Sequence, residues 1–210
     1  MKLPADTRNH LFLLLFFLAL GGCTTLPRPA PAEGGFNLRG KLGVVYGEES
    51  FSAQFLWRQQ AQAFTIDLWG PLGQGRVQLI GTDRRLALRE GDGTLISEGP
   101  PGVVMREHLG WTLPLDVLPL WVRGQPAPDR PVSDRVLNDE GQLTSFRQLG
   151  WRVTLERYRP VVAETAEDRT ATAGDEPAGA ARAEPFALPH RVTAERDGYR
   201  VRLAIADWRI

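Results

Sequence analysis

The sequence predicts a mainly β protein with a small helical segment, on three observations. Long stretches alternate between apolar and polar residues with a period of two, which is typical of strands with one buried face. Residues 102–123 lack this alternation and carry apolar residues at helical spacings instead. The 210 residues include 22 Gly and 16 Pro, as expected for many short turns between strands.

The composition and the missing motifs exclude several functional classes. The 25 Lys and Arg are balanced by 25 Asp and Glu, whereas general nucleic-acid binders need a basic excess to displace counterions. The single Cys excludes an internal disulfide and a Cys-based zinc cluster. The chain has no Gly-x-Ser-x-Gly elbow, no His-Glu-x-x-His pair and no complete phosphate-binding loop. We therefore expect no nucleic acid, metal or cofactor, and no enzymatic activity.

The amino terminus is typical of a secretory signal peptide. Lys2 and Arg8 precede an apolar run over residues 11–20, which is too short for a spanning helix of about 17–25 residues. Leu20-Gly21-Gly22-Cys23 resembles the lipobox of bacterial lipoproteins, in which the Cys is acylated and becomes the first mature residue. We therefore expect a signal peptide over residues 1–22 and lipid attachment at Cys23. An ordinary signal peptide with an incidental Cys, or an uncleaved anchor, is the alternative.

Residues 23–35 are predicted to form a flexible tether, because Pro27, Pro29, Pro31 and the pair Gly34-Gly35 disfavour both helix and strand. At roughly 3.1 Å per residue, such a spacer extends about 35–40 Å.

From Phe36 onward, strand follows strand. The positions expected on one apolar face are Phe36, Leu38, Leu42, Val44 and Tyr46, then Phe51, Ala53, Phe55 and Trp57, then Phe64, Ile66 and Leu68. The series continues at Val77 and Leu79, at Leu86 and Leu88, and at Leu95, and returns over 151–155 and 199–205. Consecutive amphipathic strands joined by short turns predict an antiparallel sheet.

Two segments interrupt this pattern. Short helices are predicted over 102–110 and 114–123, with Pro114 in a first helical turn and Gly110 and Gly124 as stops. Residues 160–185 are acidic and nearly devoid of large apolar residues, so we expect a disordered insertion there. The whole of 36–210 is expected to be one domain.

The apolar face of such a sheet needs a cover, which barrel closure, a second sheet or the helical insert can supply. A filled interior would make an ordinary core, and an underfilled one would accept acyl chains. His108 and His190 are the histidines left after signal-peptide removal, and we interpret both as surface or strand-end residues. A hydrolase pairing one of them with a Ser is the alternative.

The order of motifs resembles the LolB family over nearly the whole mature chain, from about Phe36 to Trp208. The matching segments are Gly40-Lys41-Leu42, 52–57, 64–68 with Gly70-Pro71-Leu72-Gly73, Gly110-Trp111 with Leu113-Pro114-Leu115, 121–124, Gly150-Trp151 and 205–208. The resemblance implies an incomplete antiparallel β-barrel with short helices covering its apolar concave face. Residues 160–185 depart from the family because they are longer and more acidic than its usual loop.

The resemblance also implies a function and a set of site residues. It implies a monomer, lipid-anchored at the periplasmic face of the outer membrane, that receives lipoproteins from the carrier LolA, binds their acyl chains and inserts them into that membrane. Thr24, where Asp would favour inner-membrane retention, agrees with this location. The implied insertion loop consists of Leu72, Pro71 and Trp69, and the implied acyl cavity is formed by Leu42, Val44, Phe55, Trp57, Phe64, Ile66 and Leu68. Arg76, Arg84, Arg85 and Arg89 are candidates for a basic carrier-docking face. The alternative is a structural outer-membrane lipoprotein that scaffolds another complex without binding acyl chains.

Overall fold

A computed structural model describes residues 35–162 and 186–210 of the chain. The predicted signal peptide, Cys23, nearly all of the tether and residues 163–185 of the predicted insertion lie outside these described residues.

The described residues form one antiparallel sheet of eleven strands in the order β6-β5-β4-β3-β2-β1-β11-β10-β9-β8-β7. The strands are β1 (Phe36–Tyr46), β2 (Glu49–Gln60), β3 (Ala63–Trp69), β4 (Val77–Gly81), β5 (Leu86–Glu90), β6 (Leu95–Gly99), β7 (Val132–Leu137), β8 (Leu143–Gln148), β9 (Trp151–Val161), β10 (Phe186–Arg196) and β11 (Tyr199–Arg209). Because β6 and β7 are the two edges, the barrel is incomplete, as predicted.

The pairing of β1 with β11 joins the two halves of the sheet. Leu42 lies opposite Leu203 and Val44 opposite Val201, so both strands present apolar side chains to the same face. The register shifts between Arg39 and Gly40. A Cβ on Gly40 would lie 2.1 Å from the carbonyl oxygen of Ala204, so this close approach requires glycine.

The segment between β6 and β7, residues 100–131, contains both helices and links the two edges of the sheet; we call it the lid. Helix α1 (Pro101–Leu109) follows β6, helix α2 (Leu118–Val122) precedes β7, and buried residues of both belong to the same core as the strands. Gly110 ends α1 at a φ of 74°, as predicted. The second helix is shorter than predicted. Pro114 begins a turn that accepts hydrogen bonds from the amides of Val117 and Leu118, so the helix starts only at Leu118.

Three positions predicted on the buried face are exposed. Tyr46, Phe51 and Leu95 are 45%, 45% and 48% exposed, because they lie at hairpin ends next to turns. Tyr46 stacks on Tyr199 at 4.0 Å between ring centroids, which shields one face of each ring.

Strands β7 and β8 were not predicted, and of β10 only a strand end at His190 was expected. Strand β7 is almost entirely exposed and its pairing with β8 shifts register twice, so its residues do not alternate between apolar and polar. Strand β10 contains Pro189, which lacks the amide that a central strand normally donates, and β10 pairs with β11 only from Arg191 onward. Strand β9 extends to Val161, so the predicted insertion begins two residues too early.

A buried glutamine fastens the carboxyl-terminal end of the lid to the sheet. Gln148 in β8 is 2% exposed, and its side-chain oxygen accepts hydrogen bonds from Trp121 Nε1 and the Ala127 amide, both at 2.9 Å. Its side-chain nitrogen donates to the carbonyls of Ala127 at 2.9 Å and Arg130 at 3.2 Å. One side chain thus satisfies polar groups from α2 and from the segment that follows it.

We expect Gln148→Leu to lower the free energy of unfolding by about 2–4 kcal/mol, because it leaves several buried donors and acceptors unpaired. Urea unfolding followed by tryptophan fluorescence measures the change. The control is Gln142→Leu, which removes a partly exposed hydrogen bond from Asn138 Nδ2 and should cost less than about 1 kcal/mol. Equal losses in the two variants would contradict the anchoring role of Gln148.

Candidate functional site

The concave face of the sheet and the inner face of the lid enclose an apolar cavity. Its lining consists of Leu42, Phe55, Trp57, Ile66, Leu68, Leu79 and Leu203 from the sheet, and Met105, Trp111, Leu113, Leu115 and Leu118 from the lid. The sheet residues reach one face because inward positions alternate with outward ones along β1, β2 and β3.

Five of the seven cavity residues implied by the resemblance line this space. The other two, Val44 and Phe64, are buried in the same core but do not line it. Sequence reasoning missed all five lid residues. Met105 and Leu113 lie in segments whose inward side is decided by tertiary packing, so nothing in the sequence pattern identified them.

The cavity is nearly filled by its own walls. Its volume is about 30 Å³, enough for one or two water molecules. An acyl chain can enter only if part of the lid moves or the lining side chains rearrange. The structure therefore describes a closed state of the apolar interior.

The two ends of the lid are held differently. Besides the Trp121–Gln148 hydrogen bond, the α2 end has the Arg123 guanidinium 4.7 Å from the Phe36 ring centroid, and burial lowers the pKa of Arg123. Helix α1 packs on the edge strand β6 and its neighbour β5, and residues 111–114 between the helices have no regular secondary structure. Displacement of α1 and this connection is the change that would open the cavity with least loss of hydrogen bonds.

Leu72 projects from the connection between β3 and β4. The Gly70 amide donates to the Gln74 carbonyl at 2.8 Å, and the Gly73 amide donates to Gly70 at 3.2 Å, so the loop is a closed, tight turn. Leu72 has a φ of 65°, in the left-handed region that non-glycine residues rarely adopt, and it is 95% exposed. Its exposure is therefore imposed by the backbone.

Trp69 lies at the base of this loop rather than at its tip. As the last residue of β3 it pairs with Gln54, and it points away from Leu68, onto the outer face of the sheet. Pro71 is exposed beside Leu72. The structure thus groups Pro71 and Leu72 in one projecting turn and places Trp69 on the outer face behind it.

A buried carboxylate on the outer face fixes the two ends of the loop. Asp67 is completely buried and accepts hydrogen bonds from Arg58 Nη2 at 2.8 Å, Arg76 Nη2 at 3.1 Å and Gln78 Nε2 at 2.9 Å. Because Asp67 precedes the loop and Arg76 follows it, their ion pair joins the chain on both sides of Leu72. Asp67 alternates with the apolar residues Ile66 and Leu68 in the sequence, which places it on the outer face but gives no indication of this network.

The four candidate docking arginines do not form one surface. Arg76 binds Asp67, whereas Arg89 donates to the Gly93 carbonyl at 2.8 Å. Arg84 and Arg85 lie at the β4–β5 turn, at the other end of these strands. Arg85 pairs with Glu98 at 2.6 Å, and this hydrogen bond raises the pKa of Arg85.

The two histidines lie apart from the cavity. His108 is exposed on α1, and His190 in β10 has its Nδ1 3.0 Å from the Ile205 carbonyl oxygen. Burial lowers the pKa of His190. In residues 35–162 and 186–210, neither histidine forms a hydrogen bond to a serine or a carboxylate, and no group of three potential metal ligands occurs. No helix in the described part of the chain is long and apolar enough to cross a membrane.

These features define a class of protein: an incomplete antiparallel β-barrel whose apolar interior is closed by a helical lid, with one leucine held in solvent beside it. The family model of the outer membrane lipoprotein LolB matches residues 35–171. This chain therefore belongs to the LolB family.

Curated relatives agree with the family model. The outer-membrane lipoprotein LolB of Cellvibrio japonicus (strain Ueda107) is 32% identical over 186 residues, covering 85% of this chain and 79% of the relative. LolB of Pseudomonas fluorescens is 35% identical over 168 residues, covering 71% of this chain and 82% of the relative. Among solved structures, a LolA superfamily protein from Nitrosomonas europaea aligns at a TM-score of 0.44 with 10% identity, covering 86% of this chain and 87% of that one.

We expect Asp67→Ala to loosen the Leu72 loop and to lower the free energy of unfolding by about 1–3 kcal/mol, because Arg58, Arg76 and Gln78 lose their shared acceptor. Hydrogen exchange of the Gly70 and Gly73 amides should become faster. In the control, Glu98→Ala breaks the exposed Arg85 pair and should cost less than about 1 kcal/mol, with loop exchange unchanged. Unchanged hydrogen exchange of the loop amides in Asp67→Ala would show that the hydrogen bonds of Asp67 do not order the loop.

Proposed function

We propose that this protein receives lipoproteins from a LolA-like periplasmic carrier, binds their acyl chains beneath the lid and inserts them into the outer membrane. Membership of the LolB family supports an outer-membrane lipoprotein of lipoprotein localisation. The observation that supports acyl-chain binding is the continuous apolar surface between the sheet and the lid, whose lining is entirely hydrophobic.

Transport of a lipoprotein through water needs such a surface. Exposing acyl chains costs about 0.8 kcal/mol per CH₂, on the order of 10 kcal/mol for a long chain. A protein container removes this barrier. Transfer from the carrier then requires only that the receiving protein binds the acyl chains more tightly than the carrier does. Each tenfold increase in affinity corresponds to about 1.4 kcal/mol of binding free energy.

The closed cavity agrees with this role if the lid side chains take the place of the acyl chain in the empty protein. Met105, Trp111 and Leu113 cover the sheet where an acyl chain would lie. When a chain enters, the sheet exchanges one apolar partner for another, so the cost of opening is offset by new contacts of the same kind. The empty protein meanwhile exposes little of its apolar interior.

Leu72 is proposed to act at the membrane. Burying one leucine in lipid contributes roughly 1.5–3 kcal/mol, which orients the protein but does not anchor it. Anchoring is assigned to the acylated Cys23, because two or more acyl chains hold a protein stably on a membrane. The protein would then work as a monomer on the periplasmic face, with Leu72 delivering the client.

The rival function is a structural lipoprotein that scaffolds another envelope complex. The small cavity favours it, because a volume of about 30 Å³ is also what an ordinary filled core leaves. The two functions differ in whether an acyl chain displaces the lid.

An acyl chain in the cavity should be detectable from the protein's own tryptophans. A brominated long-chain alcohol, which carries no charge, should quench the fluorescence of the mature chain with Cys23→Ala. Trp57→Phe and Trp111→Phe should each lower the quenched fraction because both residues line the cavity. Trp151→Phe, at a buried tryptophan that does not line the cavity, is the matched control and should not. Absence of quenching in the folded protein would favour the scaffold.

The role of Leu72 is tested by separating acceptance from insertion. The mature chain with Cys23→Ala is mixed with a carrier–lipoprotein complex, and client transfer is followed by co-precipitation. The lipid-anchored form is then tested for delivery into liposomes. Leu72→Glu should leave acceptance within about twofold and should lower delivery at least about tenfold, since a charge replaces the leucine that enters lipid.

Leu137→Glu is the control for this experiment, because Leu137 is 60% exposed at the end of edge strand β7, far from the loop in strand order. It should change neither step. If no transfer occurs to the unsubstituted, folded chain, the acceptor function is wrong. If delivery survives Leu72→Glu, the loop has no role in insertion.

A further inference from the structure

We propose that a groove on the outer face of the sheet, opposite the acyl cavity, binds the phosphate-bearing headgroup of an anionic membrane phospholipid while the Leu72 loop is at the bilayer. The inference rests on the proposed function insofar as it places that loop at a membrane. The groove itself is independent of the acyl cavity, because the sheet separates the two.

The groove spans four neighbouring strands, β3, β2, β1 and β11, and has a volume of about 680 Å³. Its side chains alternate with buried core residues along each strand, so they point outward. The charged and apolar side chains among them include Arg39, Lys41, Leu56, Arg58, Trp69 and Arg209. The groove is therefore a basic depression with an apolar part.

Cations exceed anions in this groove. Asp207 is the carboxylate among the lining residues of the described chain, and it lies 3.8 Å from Arg39 Nε and 3.6 Å from Arg209 Nε. Two guanidinium groups therefore share one carboxylate and retain donors for a further anion. Arg58 is held by the buried Asp67 at its edge. In the described ranges, no carboxylate lies within ion-pair distance of Lys41.

The apolar part of the groove points to a lipid. Leu56 and Trp69 are half-buried on the same outer face as the cations. A tryptophan beside cationic side chains with long apolar stems is the combination that favours a membrane–water interface. An inorganic anion would need only the charges.

The position of the groove links it to the projecting leucine. Trp69 is the last residue of β3, Gly70 begins the loop, and Lys41 lies two strands away, opposite Gln54. At about 4.8 Å between strands, Lys41 is about 10 Å from the base of the loop. A lipid whose chains lie next to Leu72 would thus have its headgroup within reach of Lys41 and the neighbouring arginines.

Continuity with the loop favours a lipid over an acidic protein as the occupant. A lipid bilayer that receives Leu72 necessarily brings phosphates to the same side of the molecule. Each Lys or Arg near an anionic leaflet strengthens attraction, so the groove would increase the weak membrane affinity of one leucine without anchoring the protein. An acidic surface of the carrier is the occupant that the experiment has to exclude.

The experiment measures flotation of the mature chain, with Cys23→Ala, on vesicles of phosphatidylcholine with and without phosphatidylglycerol. The unsubstituted groove should bind the anionic vesicles more tightly. Lys41→Glu combined with Arg209→Glu should weaken that binding by about tenfold or more, because two positive charges at the surface become two negative ones. Lys41→Arg should retain binding.

The matched control is Arg84→Glu combined with Arg135→Glu, which has the same net charge but lies at the β4–β5 turn and on edge strand β7. It should float almost as well as the parent. Circular dichroism and thermal unfolding establish that both double variants are folded; should the groove pair fail this check, Lys41→Gln with Arg209→Gln replaces it.

Client acceptance from the carrier, measured in solution, separates this inference from the proposed function. The groove variant should accept clients like the parent while losing vesicle binding. Equal flotation of the groove and control variants, or no preference of the parent for anionic vesicles, overturns the headgroup site and leaves the acceptor function untouched. If the groove variant floats normally but no longer accepts clients, the headgroup site is also overturned, because the groove then docks the carrier. Failure of acceptance in the parent chain would count against the proposed function instead.

Discussion

The apolar concave face of the sheet must be kept out of water, and most of the architecture follows from this constraint. Each large side chain on that face contributes roughly 1.5–3 kcal/mol when buried, but the sheet does not close on itself. Its edges are β6 and β7, and the chain that connects them is the lid. The cover is therefore part of the covalent path between the two edges, so it remains attached at both sides even when its middle moves.

The two faces of the sheet carry different tasks because side chains alternate along each strand. On the inner face, Phe55 and Leu68 are paired neighbours in the apolar interior. On the outer face, Asp67 gathers two arginines and a glutamine around one carboxylate. An apolar ligand and a charged surface can thus be served by the same strands without either compromising the other. The loop bearing Leu72 starts where both faces end.

The sequence predicted the inner face of the first three strands well, because a sheet with one wet face leaves a period-two signal. The same parity places Trp69 on the outer face once Leu68 is assigned inward, so this position was available from sequence. The part of strand β10 before His190 was missed because proline is rare in a central strand, and β7 was missed because an exposed, bulged edge has no alternation. The lid contacts and the Asp67 network depend on which distant segments meet, and no local pattern encodes that.

The asymmetric attachment of the lid offers a reason why a closed interior is compatible with reception of a ligand. At the α2 end, displacement would break the buried hydrogen bonds of Gln148, which are expensive to leave unmade. At the α1 end, the lid rests on the edge strand β6 and its neighbour β5, and in the proposed function an acyl chain replaces apolar contacts there. Opening should therefore proceed from α1, with α2 as the fixed end. The loop and the outer groove are on strands that the lid does not need to move. In the proposed function, membrane contact and loading of the cavity can therefore occur independently, and release depends on the bilayer offering the acyl chains a better environment than the lidded sheet does.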